Sequence, residues 1–265
     1  MQEKTIEIII ADPAKNITIF VLSPVEDRAE TAKRILADRS LGAEQVGFVI
    51  PPKSPEDLWR LEMMGGEFCG NAARSFGLWA ARNAGLSGPA EVSIGISGLA
   101  SPLGTRVHAE KGIAEVAIPG PYRQEVLNFQ GQTLRAYRFD GITHVIAPIP
   151  PDEKTFFGIK KEFEKKFGQD KALGVMFYDQ SKGFMVPGVY VYGTNSLIFE
   201  SSCGSGSGAL GIWLSEDLPA GEASWNIAQP GGCIETRVLK EQGLVREVFI
   251  GGRVILSEPM RIGVK

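Results

Sequence analysis

Along most of this chain the hydrophobic positions either alternate with polar ones or gather in short runs broken by Gly, Pro and Asp, which predicts many short strands. Ile6 to Ile10 and Asn16 to Leu22 read as a strand pair joined around Asp12-Pro13. Glu26 to Leu36 switches to helical spacing, with Ala29, Ala32, Ile35 and Leu36 on one side. Strands follow at Val46 to Ile50, stopped by Pro51-Pro52, and at Leu58 to Met63, running into Gly65-Gly66. Cys69 to Asn83 predicts a helix ended by Gly85. Its apolar residues (Ala72, Ala73, Phe76, Trp79, Ala80) run nearly all the way round, as in an enclosed helix. Glu91 to Ile96 and Thr105 to Ile118 supply further strands before Pro119-Gly120-Pro121.

The second half repeats the plan. Strands are expected at Leu134 to Arg138, His144 to Ala147, Gly174 to Asp179 and Val189 to Val191, with an amphipathic helix at Lys154 to Phe167. A strand at Ser196 to Glu200 leads to Cys203 and a second apolar helix containing Ala209, Leu210, Ile212, Trp213 and Leu214. Gly221-Glu222-Ala223 reads as a turn, and strands at Ile234 to Val238, Val245 to Gly251 and Val254 to Ser257 close the chain. The fold class expected is α/β (α+β): two pseudo-symmetric domains, each a curved, barrel-like mixed sheet around a central apolar helix. The first domain spans residues 1–121, joined by a C-terminal strand at about 256–265. The second spans 122–255, with the functional cleft between the two.

Composition narrows the function classes. The chain has 265 residues, 43% hydrophobic and 22% charged, with room for two cores. A net charge of −3 offers no broad cationic face, so nucleic acid is not an expected partner. No apolar run is long enough for a membrane span. Met1-Gln2-Glu3-Lys4 opens without the pattern of a secretory signal. Three cysteines suit a reducing, cytoplasmic setting better than a disulfide framework. No Cys or His pair has metal-ligand spacing, so no metal or other cofactor is expected.

The chemistry lies in a duplication. Glu67-Phe68-Cys69-Gly70-Asn71-Ala72-Ala73 and Glu200-Ser201-Ser202-Cys203-Gly204-Ser205-Gly206 each place a Cys-Gly pair at the start of an apolar helix. A thiol at a helix start is favoured as thiolate by the helix dipole and the free N–H groups. Glycines 70, 204 and 206 let backbone approach a ligand, and the N–H groups of two helix starts can hold a carboxylate and its developing charge. Two such thiols suit a reaction that removes a proton from one face of a carbon and returns one to the other. Cys69 and Cys203 are the expected acid and base, exchanging roles with direction. Cys233 lacks a following apolar helix and reads as a core or loop thiol. Gly206-Ser207-Gly208-Ala209-Leu210-Gly211 matches a dinucleotide-loop pattern, but no acidic residue closes a second strand at the required distance, and the first copy has no such glycines.

Cys69-Gly70-Asn71-Ala72 with Arg74, and Cys203-Gly204-Ser205-Gly206, resemble the paired cysteine motifs of the diaminopimelate epimerase fold superfamily, pyridoxal-independent two-base racemases and epimerases. Within it the chain is most similar to the histidine racemase group of the staphylopine (metallophore) pathway. That likeness rests on Asn16-Ile17-Thr18-Ile19, Glu44 to Phe48, Gly66 to Ala72, His144 to Pro148, Ser196 to Gly206 and Gln229-Pro230-Gly231-Gly232. The resemblance implies a small amino-acid substrate, L-histidine converted to D-histidine, and further site residues. These are Asn16 for a polar group of the substrate, Glu44 and Gln45 on the first domain's side, and Gly70 and Asn71. On the other side are Gly204, Ser205 and His144, which would bond a thiol or orient the substrate. Glu67 and Glu200, each just before a cysteine, are candidates for the ligand's amino group or side chain, and His108 reads as structural. Departures also count. Gly193-Thr194-Asn195-Ser196 stands where diaminopimelate epimerases carry a Glu-Arg pair, removing the bidentate anchor for a distal carboxylate. Asn71 stands where proline racemases carry His.

Three alternatives stay open at this stage: a diaminopimelate or other amino-acid epimerase, a thiol-based ligand-binding or redox-sensing module, and an isomerase using Glu200 as base. The oligomeric state is also open, a homodimer among the options.

Overall fold

A computed structural model describes residues 4–53, 55 and 57–264. Met1–Glu3, on which the leader reading partly rests, and Lys265, included in the first domain, lie outside the described residues. The chain forms two compact units, one of residues 1–117 with 251–265 and one of 118–250. The sequence reading set these boundaries a few residues later, at 121/122 and 255/256. The first shifts because Ile118 already hydrogen-bonds to Val248, inside the second unit.

Unit 1 opens with β1 (Lys4–Asp12) and β2 (Thr18–Val21), followed by α1 (Arg28–Ala37), β3 (Gln45–Ile50) and β4 (Arg60–Met63). Then come α2 (Gly70–Asn83), β5 (Pro89–Ile96), β6 (Leu103–His108) and β7 (Ile113–Ala117). Antiparallel pairs join β1 to β2, β3 to β4, β5 to β6 and β6 to β7, while β2–β3 and β4–β5 run parallel. The α1 helix starts two residues later than its apolar spacing suggests, because Asp27 caps it by accepting the Glu30 N–H. Every residue of α2 from Gly70 to Ala81 is buried, and the helix packs against β5, β6 and β7.

Unit 2 contains β8 (Arg123–Phe129), β9 (Gln132–Phe139), β10 (Ile142–Ala147), α3 (Glu153–Phe167), β11 (Ala172–Asp179), β12 (Phe184–Val191) and β13 (Ser196–Phe199). It continues with α4 (Gly204–Leu214), β14 (Gly221–Gln229), β15 (Gly232–Glu241) and β16 (Leu244–Arg253). The α3 helix is the crossover between parallel strands β10 and β11, burying Phe156, Ile159 and Phe163, and β14 and β15 form a long antiparallel ribbon. Residues Gly204 to Ile212 of α4 are buried except Ser205, and the helix packs against β10, β11, β14 and β15. The chain re-enters unit 1 inside β16 and ends with β17 (Ile255–Leu256) and β18 (Met260–Val264), both antiparallel to β1.

The fold is mixed α+β and dominated by sheet, with four α-helices among the described residues. Two readings are corrected. Gly221-Glu222-Ala223 is the start of β14 and not a turn. Cys233 lies exposed on β15, in neither core nor loop. The dinucleotide-like glycines also find another use. They lie within α4, where a Cβ on Gly206, Gly208 or Gly211 would stand 2.2, 2.0 or 2.3 Å from Met176, Ile118 or Thr236 respectively. Close packing requires them.

Candidate active site

The residues singled out in the sequence fall into two groups, one in each unit. In unit 1, Cys69 is half-buried and is the N-cap of α2, with extended backbone (φ −126°, ψ 115°). Its side chain makes no cap bond to the helix, and its carbonyl accepts the Ala73 N–H at 2.8 Å. Asn71, in the first turn, is buried and donates to Asn16 Oδ1 at 3.2 Å, and Asn16 donates to Glu44 Oε2 at 2.7 Å. Arg74, fully buried one turn further on, donates from Nε to Asn71 Oδ1 (3.1 Å) and from Nη1 to the Gly252 carbonyl (3.2 Å). Glu44, Asn16, Asn71 and Arg74 therefore form one continuous polar chain. Asn16 is positioned by a turn in which Ala14 and Lys15 are left-handed (φ 63° and 62°) and Asp12 accepts the Lys15 N–H. Gln45, the first residue of β3, has a buried Oε1 with no hydrogen-bond partner among the described residues. Glu67 folds back over the Gly65-Gly66 turn.

In unit 2, Cys203 is the N-cap of α4 with nearly the same backbone (φ −124°, ψ 114°), and is buried. The Ser205 hydroxyl lies 3.8 Å from Cys203 Sγ and 2.8 Å from His144 Nε2. His144, on β10, is wholly buried, and Ser205 links its ring to the thiol. Its ring has space because the paired position on β11 is Gly174, whose Cβ would stand 2.3 Å from Nδ1. Burial pushes the His144 pKa down to about 3, leaving the imidazole neutral. The Cys203 thiol is pushed up, first by burial and then by the Glu200 carboxylate, against weaker help from the Gly206 N–H and Ser205 hydroxyl. This corrects the expectation that both helix starts favour thiolate. A helix terminus contributes about 0.3–1 kcal/mol, whereas full burial shifts a pKa by up to about 3–5 units. At Cys203 burial wins.

Sequence reasoning missed two neighbours of Cys203. Gln229 Oε1 accepts the Cys203 N–H at 2.8 Å, and its Nε2 donates to Ser207 Oγ at 2.9 Å. Ser207 Oγ in turn donates to the Cys203 carbonyl at 2.7 Å. The signal was available in Gln229-Pro230-Gly231-Gly232, where the only side chain with both a donor and an acceptor is Gln229. His108 ends β6. Among the described residues no three His, Cys, Asp or Glu side chains gather as a ligand set for a metal.

Each unit thus carries one buried helix opened by a cysteine. A hydroxyproline epimerase from Agrobacterium vitis shares the fold with a TM-score of 0.65 over 98% of this chain and 93% of that one, at 9% identity. A methylitaconate-delta-isomerase shares it with a TM-score of 0.61, covering 100% and 96%, at 12% identity. The sequence profile described as the histidine racemase CntK N-terminal domain matches residues 5–258. A histidine racemase of Fusobacterium nucleatum is 33% identical over 262 residues, 95% of this chain and 94% of that protein. One from Staphylococcus aureus is 27% identical, covering 96% of each. The chain belongs to the histidine racemase family and is an isomerase of the racemase and epimerase class.

Proposed function

We propose that this protein is a cofactor-independent two-base racemase that interconverts L- and D-histidine, with Cys69 and Cys203 as the proton-transferring groups. The observation that supports it is the repeated geometry: two cysteines in the same extended N-cap conformation, each opening a buried helix. The same reading takes the two units as pseudo-symmetric halves of one plan, each built around its cysteine-capped helix.

One thiolate removes the substrate's Cα proton. The carbanion, its charge held by helix N-terminal N–H groups, then takes a proton from the other thiol on the opposite face. The product leaves with thiol and thiolate exchanged, so the enzyme is ready for the enantiomer. Burial and Glu200 raise the Cys203 thiol above its ordinary pKa, and this reading gives it the acid's role for one enantiomer. A substrate ammonium near Glu200 would offset that carboxylate and let Cys203 serve as base in the reverse direction. Asn16, Glu44, Gln45 and Asn71 form the substrate-facing set of the first unit, and Gly70, Gly204 and Ser205 contribute the helix starts. His144 supports Cys203 through Ser205.

The test is proton NMR of reduced protein in D2O with a panel of L-amino acids including histidine and diaminopimelate. Loss of the histidine Cα–H signal with appearance of D-histidine is expected. Exchange with another amino acid alone would move the substrate assignment, and exchange with none would end the racemase reading. Cys69→Ser and Cys203→Ser are each expected to lower racemisation at least about 100-fold, the scale of a lost general acid or base. Near wild-type rates in both, with loss in Glu200→Gln, would instead make Glu200 the base. A place in metallophore assembly, a cytoplasmic location and a homodimeric state belong to this same reading and rest on the family resemblance alone.

A further inference from the structure

We infer that Gln229 and Ser207 are positioning residues for Cys203, closing a hydrogen-bonded ring around its backbone that the other cysteine does not share. The proposal rests on the racemase reading and adds residues to it. The ring runs from the Cys203 N–H to Gln229 Oε1, from Gln229 Nε2–H to Ser207 Oγ, and from the Ser207 hydroxyl to the Cys203 carbonyl, at 2.8, 2.9 and 2.7 Å. All three residues are buried.

Its parts fix one another. A buried backbone N–H needs an acceptor, and only the amide oxygen of Gln229 is one, so the side chain cannot flip without setting two donors against each other. The same carbonyl also accepts the Ser207 N–H at 3.0 Å, so Cys203 is held in its extended N-cap conformation from both ends. Gln229 reaches this point because it ends β14, so the long ribbon of β14 and β15 terminates on the cysteine. Four residues after Cys69 the corresponding residue is Ala73, which has no hydroxyl and contributes only its N–H. The ring therefore belongs to unit 2. A buried thiol that must place its sulfur against one face of a substrate carbon depends on the backbone that carries it, and a displacement of about 1 Å can cost about 100-fold in rate.

The experiment compares wild type, Gln229→Met and Ser207→Ala, using L- and D-histidine with and without deuterium at Cα. Enantiomers are equal in free energy, so kcat/KM must fall by the same factor in both directions. A drop of about 10- to 100-fold is expected for Gln229→Met and a smaller one for Ser207→Ala. The deciding readout is the isotope effect. If Cys203 is misplaced, its proton transfer limits the rate more. The deuterium effect should then rise for one enantiomer and fall for the other. A variant that merely contains less folded protein would lose rate with both isotope effects unchanged, which overturns the proposal. Peptide-resolved alkylation with iodoacetamide is the independent measurement. Gln229→Met should change the rate at Cys203 by several-fold and leave Cys69 as in wild type, whereas equal changes or none would count against the ring. If wild type racemises nothing yet Cys203 labelling responds selectively, the racemase reading fails and the positioning role stands. If wild type racemises histidine and neither isotope effects nor labelling respond, the positioning role fails alone.

Discussion

His144 is a base kept from protonation by its surroundings, which makes its contribution to stability depend on pH in a predictable sense. Its ordinary value of 6.5 falls to about 3 on burial. Between those values the unfolded chain binds a proton that the folded chain refuses, so stability is complete above about pH 6.5 and is lost as pH falls towards 3. The loss is about 1.4 kcal/mol per pH unit, or about 2 kcal/mol between pH 6.5 and 5. His144→Gln retains an Nε2 donor but does not titrate there. Urea unfolding at pH 7 and pH 5 should show the stability gap between wild type and variant changing by about 2 kcal/mol in the variant's favour at the lower pH. Parallel pH dependences would show that His144 is not held neutral. Little of this was legible in the chain. Gly141-Ile142-Thr143-His144 marks a strand carrying a histidine, but its burial depends on Gly174, thirty residues away, leaving space for the ring. Likewise the cysteines were legible as helix starts, whereas the raised Cys203 pKa was not, because desolvation is set by packing that no local spacing encodes.

Elements were legible where their period was strong. The apolar helices after Cys69 and Cys203 and the α3 stripe follow directly from residue spacing. The ribbon strand β14 does not, since Glu222-Ala223-Ser224-Trp225-Asn226 is largely polar and half exposed, with a core residue only at Ile227. Missing β14 also hid Gln229 at its end. The packing of α2 and α4 carries a prediction of its own. Gly77 and Gly211 each lie eight residues after their cysteine, and each sits against a threonine on a neighbouring strand. A Cβ on Gly77 would stand 2.4 Å from Thr105 Cγ2, 2.6 Å from its Cβ and 2.8 Å from its Oγ1. On Gly211 it would stand 2.3 Å from Thr236 Cγ2 but 3.5 Å from the Cβ. Alanine gains about 1 kcal/mol in helix propensity, while overpacking costs about 1–3 kcal/mol, so both Gly→Ala variants should lose stability. The partners then separate them. Thr236→Ser removes the closest methyl, leaving Val238 Cγ2 at 3.3 Å as the tightest remaining contact, and should recover most of the loss in Gly211→Ala. Thr105→Ser leaves two close atoms and should recover little in Gly77→Ala. Urea midpoints of the four variants decide this, and equal rescue at both sites would mean that the helices shift to make room.

At the scale of the whole chain the two units differ in how sequence closes them. Unit 2 is one contiguous stretch, 118–250, whereas unit 1 is completed only by residues 251–265. Those last residues are structural partners. Met260–Val264 pairs with β1 from Ile8 back to Lys4, Val264 lies in the core with Ile6, Ile8 and Ile35, and the Gly252 carbonyl accepts from buried Arg74. A chain ending at Pro259 keeps the Arg74 acceptor but exposes β1 along one edge and leaves its core without Val264 and Ile262. Unit 1 also depends on contacts more than 240 residues apart in sequence, from Lys4 to Val264. The truncated chain should therefore lose protection in unit 1 while unit 2 keeps it. Peptide-level hydrogen exchange measures this directly. Segments 4–12, 18–21 and 70–83 should exchange much faster than in the full chain, with 142–147 and 172–191 nearly unchanged. Because Cys69 caps the helix 70–83 of unit 1 and Cys203 belongs to unit 2, racemisation should vanish although the ring around Cys203 survives and its labelling by iodoacetamide stays at the full-chain rate. Uniform loss of protection would show that unit 2 does not hold its fold alone, and uniform retention would show that β18 is dispensable to unit 1.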